Sequence, residues 1–340
     1  MVAYWEGEDI VAANFLAGTR ATIAPPLAAV LAQLGEPMPR ADAAALLGAC
    51  PEPDQVLDAL LTHALLLEVD SELERRDSLL DSTWEWDIDA RAFHFSTRAV
   101  PYETDIDRQR ASLSDHAAAT PPPSPFARRG SDGRVSLPGS FADRVGSPWD
   151  TLLRRRTERR FARSPIALDA LADVLRWTWG CTERVDRADI GPFLLKTSPS
   201  GGARHPIEVY VAASRVDGLE PATYHYNVEH DALDRIGPAV SDDDAVALFA
   251  HQPWLRNAAA LFFMTAVVER SMWKYKHSHA YRVLLLDAGH LGQTFHLTCA
   301  GLGLAPFTSS AKDDPAIERL LGIDGVREIS LYAAATGHAG

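Results

Sequence analysis

The sequence predicts an α+β fold, with helices flanking a mostly antiparallel sheet and a smaller helical domain ahead of it. Three observations point there. Leu168, Leu171, Val174 and Leu175 form a helical stripe that ends near Gly180. Ala258 to Val268 is a continuous apolar run, as in a strand buried on both faces. Tyr281 to Leu302 reads as one long central helix closing near Gly303. The 340 residues divide into an N-terminal domain (1–110), a Pro/Ser/Gly-rich linker (111–147) and a C-terminal domain (148–340).

In the first region, Ala21 to Leu34 carries Leu27, Val30, Leu31 and Leu34 at helical spacing. Asp42 to Leu47 is rich in Ala and Leu. Glu52 to Leu65 sets Val56, Leu57, Leu60, Leu61 and Leu65 on one stripe. Leu65 to Val69 then reads as a short strand. Short helices followed by a strand resemble a winged-helix arrangement. Such modules often bind DNA, but Asp54 to Leu67 has no Lys or Arg, so packing or peptide binding is the better expectation. The linker holds Pro121, Pro122, Pro123, Pro125, Gly130, Gly133 and Gly139, a composition that favours extended backbone. Beyond it, Ile207 to Ala213 is a strand, Thr223 to Asn227 and Ala232 to Ile236 form a hairpin, and Glu328 to Thr336 is the last strand.

Composition excludes several classes. Lys and Arg total 33 against 46 Asp and Glu, a net charge of −13, so no broad positive field exists for nucleic acid. Met1 to Phe15 lacks the basic start and apolar run of a signal peptide. The apolar run at Ala258 to Val268 is too short to span a bilayer as a helix. Cys50, Cys181 and Cys299 form no CxxC pair, which fits a reduced cytoplasmic protein with incidental thiols. His277, His279, His290 and His296 are close in sequence, but no HExxH occurs and no metal site is expected.

Four motifs remain. Arg154, Arg155, Arg156, Arg159 and Arg160 flank Thr157; arginine forks match phosphate oxygens and flat-ring carbonyls, although a solvated basic face is the plainer alternative. Pro199, Ser200, Gly201, Gly202 and Ala203 precede a strand; small residues let backbone approach a flat ring, and an ordinary tight turn would look the same. Lys274 and Tyr275 pair a base with an acid, against the alternative of a surface Lys beside a half-buried Tyr. Pro306, Phe307 and Thr308 follow a glycine-bearing helix end.

The order of these motifs resembles the nitroreductase superfamily, and within it the SagB-type dehydrogenases. Arg155, Thr157 and Arg159 fill the R-x-S-x-R element, with Thr for Ser. Pro199, Ser200, Gly202 and Ala203 match a Pro-Ser-x-Gly-Ala loop before Glu208-Val209-Tyr210. Gly218-Leu219, Tyr224-His225-Tyr226, Lys274-Tyr275, Tyr281-Arg282 and Asp287-Ala288-Gly289-His290 follow in order, then Gln293, Gly301-Leu302-Gly303 and a last strand from Leu331 to Gly337. The likeness spans Leu152 to Gly337 and weakens over the first 110 residues. Trp84 to Arg98 looks like the stretch joining an N-terminal extension to the catalytic domain.

The resemblance implies a nitroreductase-like fold and a homodimer with FMN at the interface. Arg155, Thr157 and Arg159 would hold its phosphate and polar edge. Pro199 to Ala203 would lie against the ring, with Pro306 to Thr308 near another edge and Gln293 part of the pattern. Lys274 or Tyr275 would remove a proton while hydride passes to the flavin, which dioxygen would reoxidise. The implied substrate is a ribosomally made peptide, oxidised from azoline to azole or desaturated at Cα–Cβ, with a peptide-modifying enzyme as partner. The alternatives are an NAD(P)H-dependent nitro or quinone reductase, and a non-enzymatic module that presents a peptide.

Overall fold

The computed structural model describes residues 2–83, 87–97, 105–127, 129–141, 147–187 and 191–340. The chain divides into two compact units, Met1–Tyr102 and Glu103–Gly340. Charge divides with it: residues 1–102 carry 17 acidic and 6 basic side chains, a net of −11 out of −13.

The first unit opens with β1 (Val2–Glu6), β2 (Asp9–Asn14) and β3 (Thr19–Ile23), paired antiparallel in that order. Five helices follow: α1 (Pro25–Leu31), α2 (Arg40–Leu46), α3 (Pro53–Thr62), α4 (Glu72–Thr83) and α5 (Ile88–Ser96). Leu31, Ala43, Leu47, Leu57, Leu60 and Leu65 close over Ala12 and Ile23 as one core. The expected strand at Leu65 to Val69 does not form. Leu65 and Leu66 instead leave α3 in a turn and pack into that core. The expected helix from Ala21 starts only at Pro25, because Thr19–Ile23 is a strand.

The second unit begins with α6 (Ile106–Ala119), capped by the Asp105 carboxylate, which accepts from the Asp107 and Arg108 N–H groups. Then come β4 (Arg134–Ser136), α7 (Pro148–Arg154), β5 (Ile166–Ala167) and α8 (Leu168–Trp179). The stretch expected as a linker therefore starts inside α6 and supplies a strand, which pairs through Arg134 to Asp234. Arg128 and residues 142–146 of that stretch lie outside the described residues, as do Trp84, Glu85, Trp86 and Arg98 of the expected joining segment.

Next are β6 (Cys181–Arg187), β7 (Gly191–Lys196), β8 (Ile207–Ala213), β9 (Val216–Asp217), β10 (Ala222–Asn227) and β11 (Ala232–Gly237). After α9 (Asp242–Leu248) come β12 (Ala260–Val267), α10 (Val268–Lys274), α11 (Ala280–Gly301), β13 (Ala305–Ser309), α12 (Asp314–Leu321) and β14 (Glu328–Gly337). Seven strands form one antiparallel sheet in the order β13-β14-β12-β8-β10-β11-β4.

The two central strands sort their side chains by the two-residue period. Val209, Val211, Phe262 and Met264 face a core shared with Leu171, Leu175, Leu284 and Phe295 of α8 and α11. Tyr210, Ala212, Leu261 and Phe263 face a second core with Leu248, Phe249, Ile317 and Leu321. Burial on both faces is why the Ala258 to Val268 run shows no polar alternation. Among the described residues no helix is long and apolar enough to cross a membrane.

Candidate functional site

The loop from β7 to β8 is the first part of the site. Gly202, Ala203 and His205 adopt left-handed backbone, with φ of 61°, 53° and 43°. Left-handed backbone costs a non-glycine residue roughly 1–3 kcal/mol and persists only where the surroundings over-determine it. The determinant is Asp287 on α11. Its Oδ2 accepts from the Ser200 hydroxyl at 2.6 Å and its Oδ1 from the Gly201 N–H at 3.2 Å. Ser200 Oγ in turn accepts from the His205 N–H at 2.9 Å. Burial raises the Asp287 pKa, and these two donors pull the other way.

Neither glycine leaves room for a side chain unless a neighbour moves. A Cβ on Gly201 would strike the Val283 side chain, and one on Gly202 would strike the Tyr275 hydroxyl and Lys274 Nζ. The loop backbone at Gly202 and the Lys-Tyr pair, which starts 72 residues later at Lys274, are thus in contact.

The pair sits at the end of α10, which is fastened at three points. Arg270 Nη1 donates to Glu208 Oε1 at 2.5 Å and to the His205 carbonyl at 3.1 Å. Trp273 Nε1 donates to the Thr120 carbonyl at 2.7 Å, and His116 on α6 meets the Trp273 carbonyl at 3.0 Å. Glu208 Oε2 is shared with His225 Nε2 at 2.7 Å. Although burial opposes it, Arg270 and His225 hold the Glu208 carboxyl down at about 2. Burial lowers the Lys274 pKa, and the Arg204 and Arg187 charges lower it further. Burial raises that of Tyr275. Lys274 and Tyr275 are half-buried, so solvent and ligands reach them.

The arginine-rich segment runs beside β13. The Glu158 N–H donates to the Pro306 carbonyl at 2.9 Å. Arg159 lies 5.7 Å from the Trp254 ring centroid and 6.0 Å from that of Phe307. Arg155 lies near His296, whose pKa burial and this charge push down to about 4. Thr308 Oγ1 meets His296 Nε2 at 3.1 Å and accepts from the Tyr332 hydroxyl at 2.9 Å. Among the described residues neither Arg155 nor Arg159 has a carboxylate partner, which leaves two cations for an anionic ligand. Thr157 is exposed.

Two groupings therefore emerge along α11. Pro199, Ser200, Gly201, Gly202 and Ala203 join Lys274 and Tyr275 near Asp287. Arg155 and Arg159 join Pro306, Phe307 and Thr308 near His296. Asp287 and His296 are nine residues apart, roughly 13 Å along the helix. Gln293 lies between them in sequence, on the exposed side. Phe307 is buried among Phe249 and Trp254 and serves the core with its side chain. Sequence reasoning quoted Asp287 and Arg204 within its motifs but gave neither a role in the site. Asp287 had a signal: a carboxylate on the apolar side of a long helix needs a buried partner.

Residues 152–338, more than half of the chain, match the nitroreductase family. The chain belongs to the nitroreductase family. Within it, the chain is 32% identical over 174 residues to the trifolitoxin-processing protein TfxB of Rhizobium leguminosarum, a match covering 49% of this chain and 46% of that one. It is 29% identical over 174 residues to a Methanocaldococcus jannaschii protein assigned as a nitroreductase, covering 51% of this chain and 83% of that one. A crystal structure from Anabaena variabilis, likewise assigned as a nitroreductase, superposes with a TM-score of 0.56 at 23% identity, covering 73% of this chain and 46% of the other. The chain thus matches under half the length of the trifolitoxin-processing protein and of the Anabaena structure. The nitroreductase fold agrees with the expected α+β class and antiparallel sheet.

Proposed function

We propose that this protein is an FMN-dependent dehydrogenase acting on a ribosomally made, modified peptide, by azoline-to-azole oxidation or by Cα–Cβ dehydrogenation of a residue. The observation that carries the reading is the contact of the Gly202 backbone with both Lys274 Nζ and the Tyr275 hydroxyl, on a loop pinned by Asp287. Similarity to a trifolitoxin-processing protein supports a peptide substrate.

The residues present fit FMN. Arg155 and Arg159, without carboxylate partners, suit its phosphate and polar edge, and Thr157 adds a hydroxyl. Pro199 to Ala203 would lie against the ring, with Gln293 and Pro306 to Thr308 completing the surround. Bound FMN supplies an electron sink that takes up a hydride. Lys274 accepts the proton from the substrate carbon, since its lowered pKa makes the neutral amine more accessible. Tyr275 stays protonated and donates a hydrogen bond to the substrate. The arrangement divides proton transfer and orientation between adjacent residues.

A homodimer is part of the proposal, with a peptide-modifying enzyme as a further partner. Leu285 and Leu286 of α11 are 45% and 59% exposed, and Trp149 and Leu153 of the contacting helix α7 are 72% and 73% exposed. Such apolar surface on one helix pair suits a second copy.

The visible spectrum of the purified protein, with the released chromophore identified by mass, tests the reading. Oxidised flavin bands and FMN are expected. Lys274→Ala and Tyr275→Phe should each lower turnover of a peptide substrate about 10²-fold or more. A colourless protein that stays so after FMN is added overturns the proposal. The archaeal relative favours a second reading, an NAD(P)H-dependent nitro or quinone reductase. Rapid bleaching of the flavin by NADPH would promote it, and negligible bleaching would remove it.

A further inference from the structure

Arg204 closes the glycine loop and is only 7% exposed. Its guanidinium carbon lies 4.8 Å from the Phe193 ring centroid and 5.4 Å from that of Trp273. Nε has no hydrogen-bond partner, and among the described residues no carboxylate pairs with the group. The carboxylates nearby are committed elsewhere. Both Glu208 oxygens are used by Arg270 and His225, and both Asp287 oxygens by Ser200 and Gly201.

A lysine so placed could shed its proton, but an arginine cannot. The two aromatic faces offset part of the cost of burying the charge, yet an unsatisfied donor and an uncompensated cation remain. Lys274, also without a carboxylate partner among the described residues, is close enough for Arg204 to act on its titration. The Tyr275 hydroxyl and Lys274 Nζ meet the loop at Gly202, two residues before Arg204. A permanent cation and a hydroxyl donor thus gather at the loop, and among the described residues no carboxylate pairs with Arg204.

We propose that Arg204, with the Tyr275 hydroxyl, forms a subsite for a carboxylate of the substrate, beside the Lys274 amine. The planar fork of Arg204 matches a planar carboxylate through two donors. Arg155 and Arg159 lie in the other grouping along α11 and serve a phosphate there. The assignment rests on reading the Lys274–Tyr275 face as the substrate side. It narrows the substrate to a peptide whose reacting residue lies at or beside a carboxylate, either the chain's C-terminus or an acidic side chain.

Calorimetric titration of the full-length protein tests this without activity or flavin reduction. The probes are N-acetylglycine for a terminal carboxylate, N-acetylaspartic acid 1-amide for a side-chain one, N-acetylglycinamide as the neutral isostere, and inorganic phosphate. The Arg204 Nε–H resonance, assigned with Arg204→Lys, is followed in parallel. We expect at least one carboxylate probe to bind, the amide to bind at least tenfold more weakly, and the Nε–H signal to move with saturation. The stronger of the two acids identifies the source of the carboxylate. Arg204→Met should weaken that acid at least tenfold and leave any response to the amide unchanged. Equal binding of acid and amide overturns the proposal, as does phosphate binding that moves the Nε–H signal while neither acid does. If Arg204→Met fails to fold, the acid-versus-amide comparison in the unaltered protein still decides. A protein that binds the acid but never FMN would sink the dehydrogenase reading and leave this subsite standing.

Discussion

Gly202 gives the sharpest test at the scale of single residues. Its left-handed backbone and the absence of a side chain are what let Lys274 Nζ and the Tyr275 hydroxyl approach. Gly202→Ala should shift that pair and lower turnover about 10²-fold, since displacement of about 1 Å costs that much. An unchanged rate would mean that the pair's placement is irrelevant to the chemistry. Lys274 gives a second test, in its pH profile. If the neutral amine accepts the proton, activity climbs with pH as Lys274 deprotonates, with a midpoint below the ordinary 10.5. That limb should vanish in Lys274→Ala; its persistence would assign it to another group. The candidate motifs could be singled out because each groups unusual residue types at short spacing, such as five arginines within seven residues from Arg154 to Arg160. Arg204 could not be, because nothing in Ala203-Arg204-His205 announces that the side chain turns inward between Phe193 and Trp273.

Among elements, the joint between β8 and α10 is held by a buried ion pair. Glu208 links Arg270 to His225 across it. Because the folded carboxyl titrates at about 2 against an ordinary 4.5, its contribution is fully present above pH 4.5 and is lost as pH falls toward 2. The loss amounts to roughly 3 kcal/mol. Urea unfolding between pH 5 and about 2 should show this slope, and Glu208→Gln should flatten it. Asp287→Ala should free the Ser200 hydroxyl and the Gly201 N–H, costing about 1–3 kcal/mol and weakening FMN binding; equal affinity in the variant would detach the loop from the cofactor.

Legibility at this scale follows burial. Ile207–Ala213, Ala260–Val267 and the α11 helix were readable because both faces, or a broad stripe, are apolar. The hairpin β6–β7 was not, since Cys181–Arg187 is mostly charged and exposed and its ladder rests on backbone pairing. The N-terminal strands escaped notice for a similar reason: β1 is largely exposed, with no alternation to read. In the expected linker, prolines and glycines dominated the composition and hid a three-residue edge strand.

For the molecule as a whole, the proposed dimer makes a direct prediction. Leu286→Arg should convert a dimer into a monomer in light scattering, and FMN content should fall with it if the site needs the second copy. A chain that is monomeric before the change would refute the interface. The uneven distribution of charge has a separate bearing on handling. The second unit is close to electroneutral, with a net of −2, several exposed leucines and the exposed Trp149. A protein near zero charge with apolar surface tends to precipitate. The first 102 residues, at −11, carry most of the net charge that opposes association of copies. Their removal would raise the isoelectric point and shrink the concentration range in which the remaining unit stays in solution.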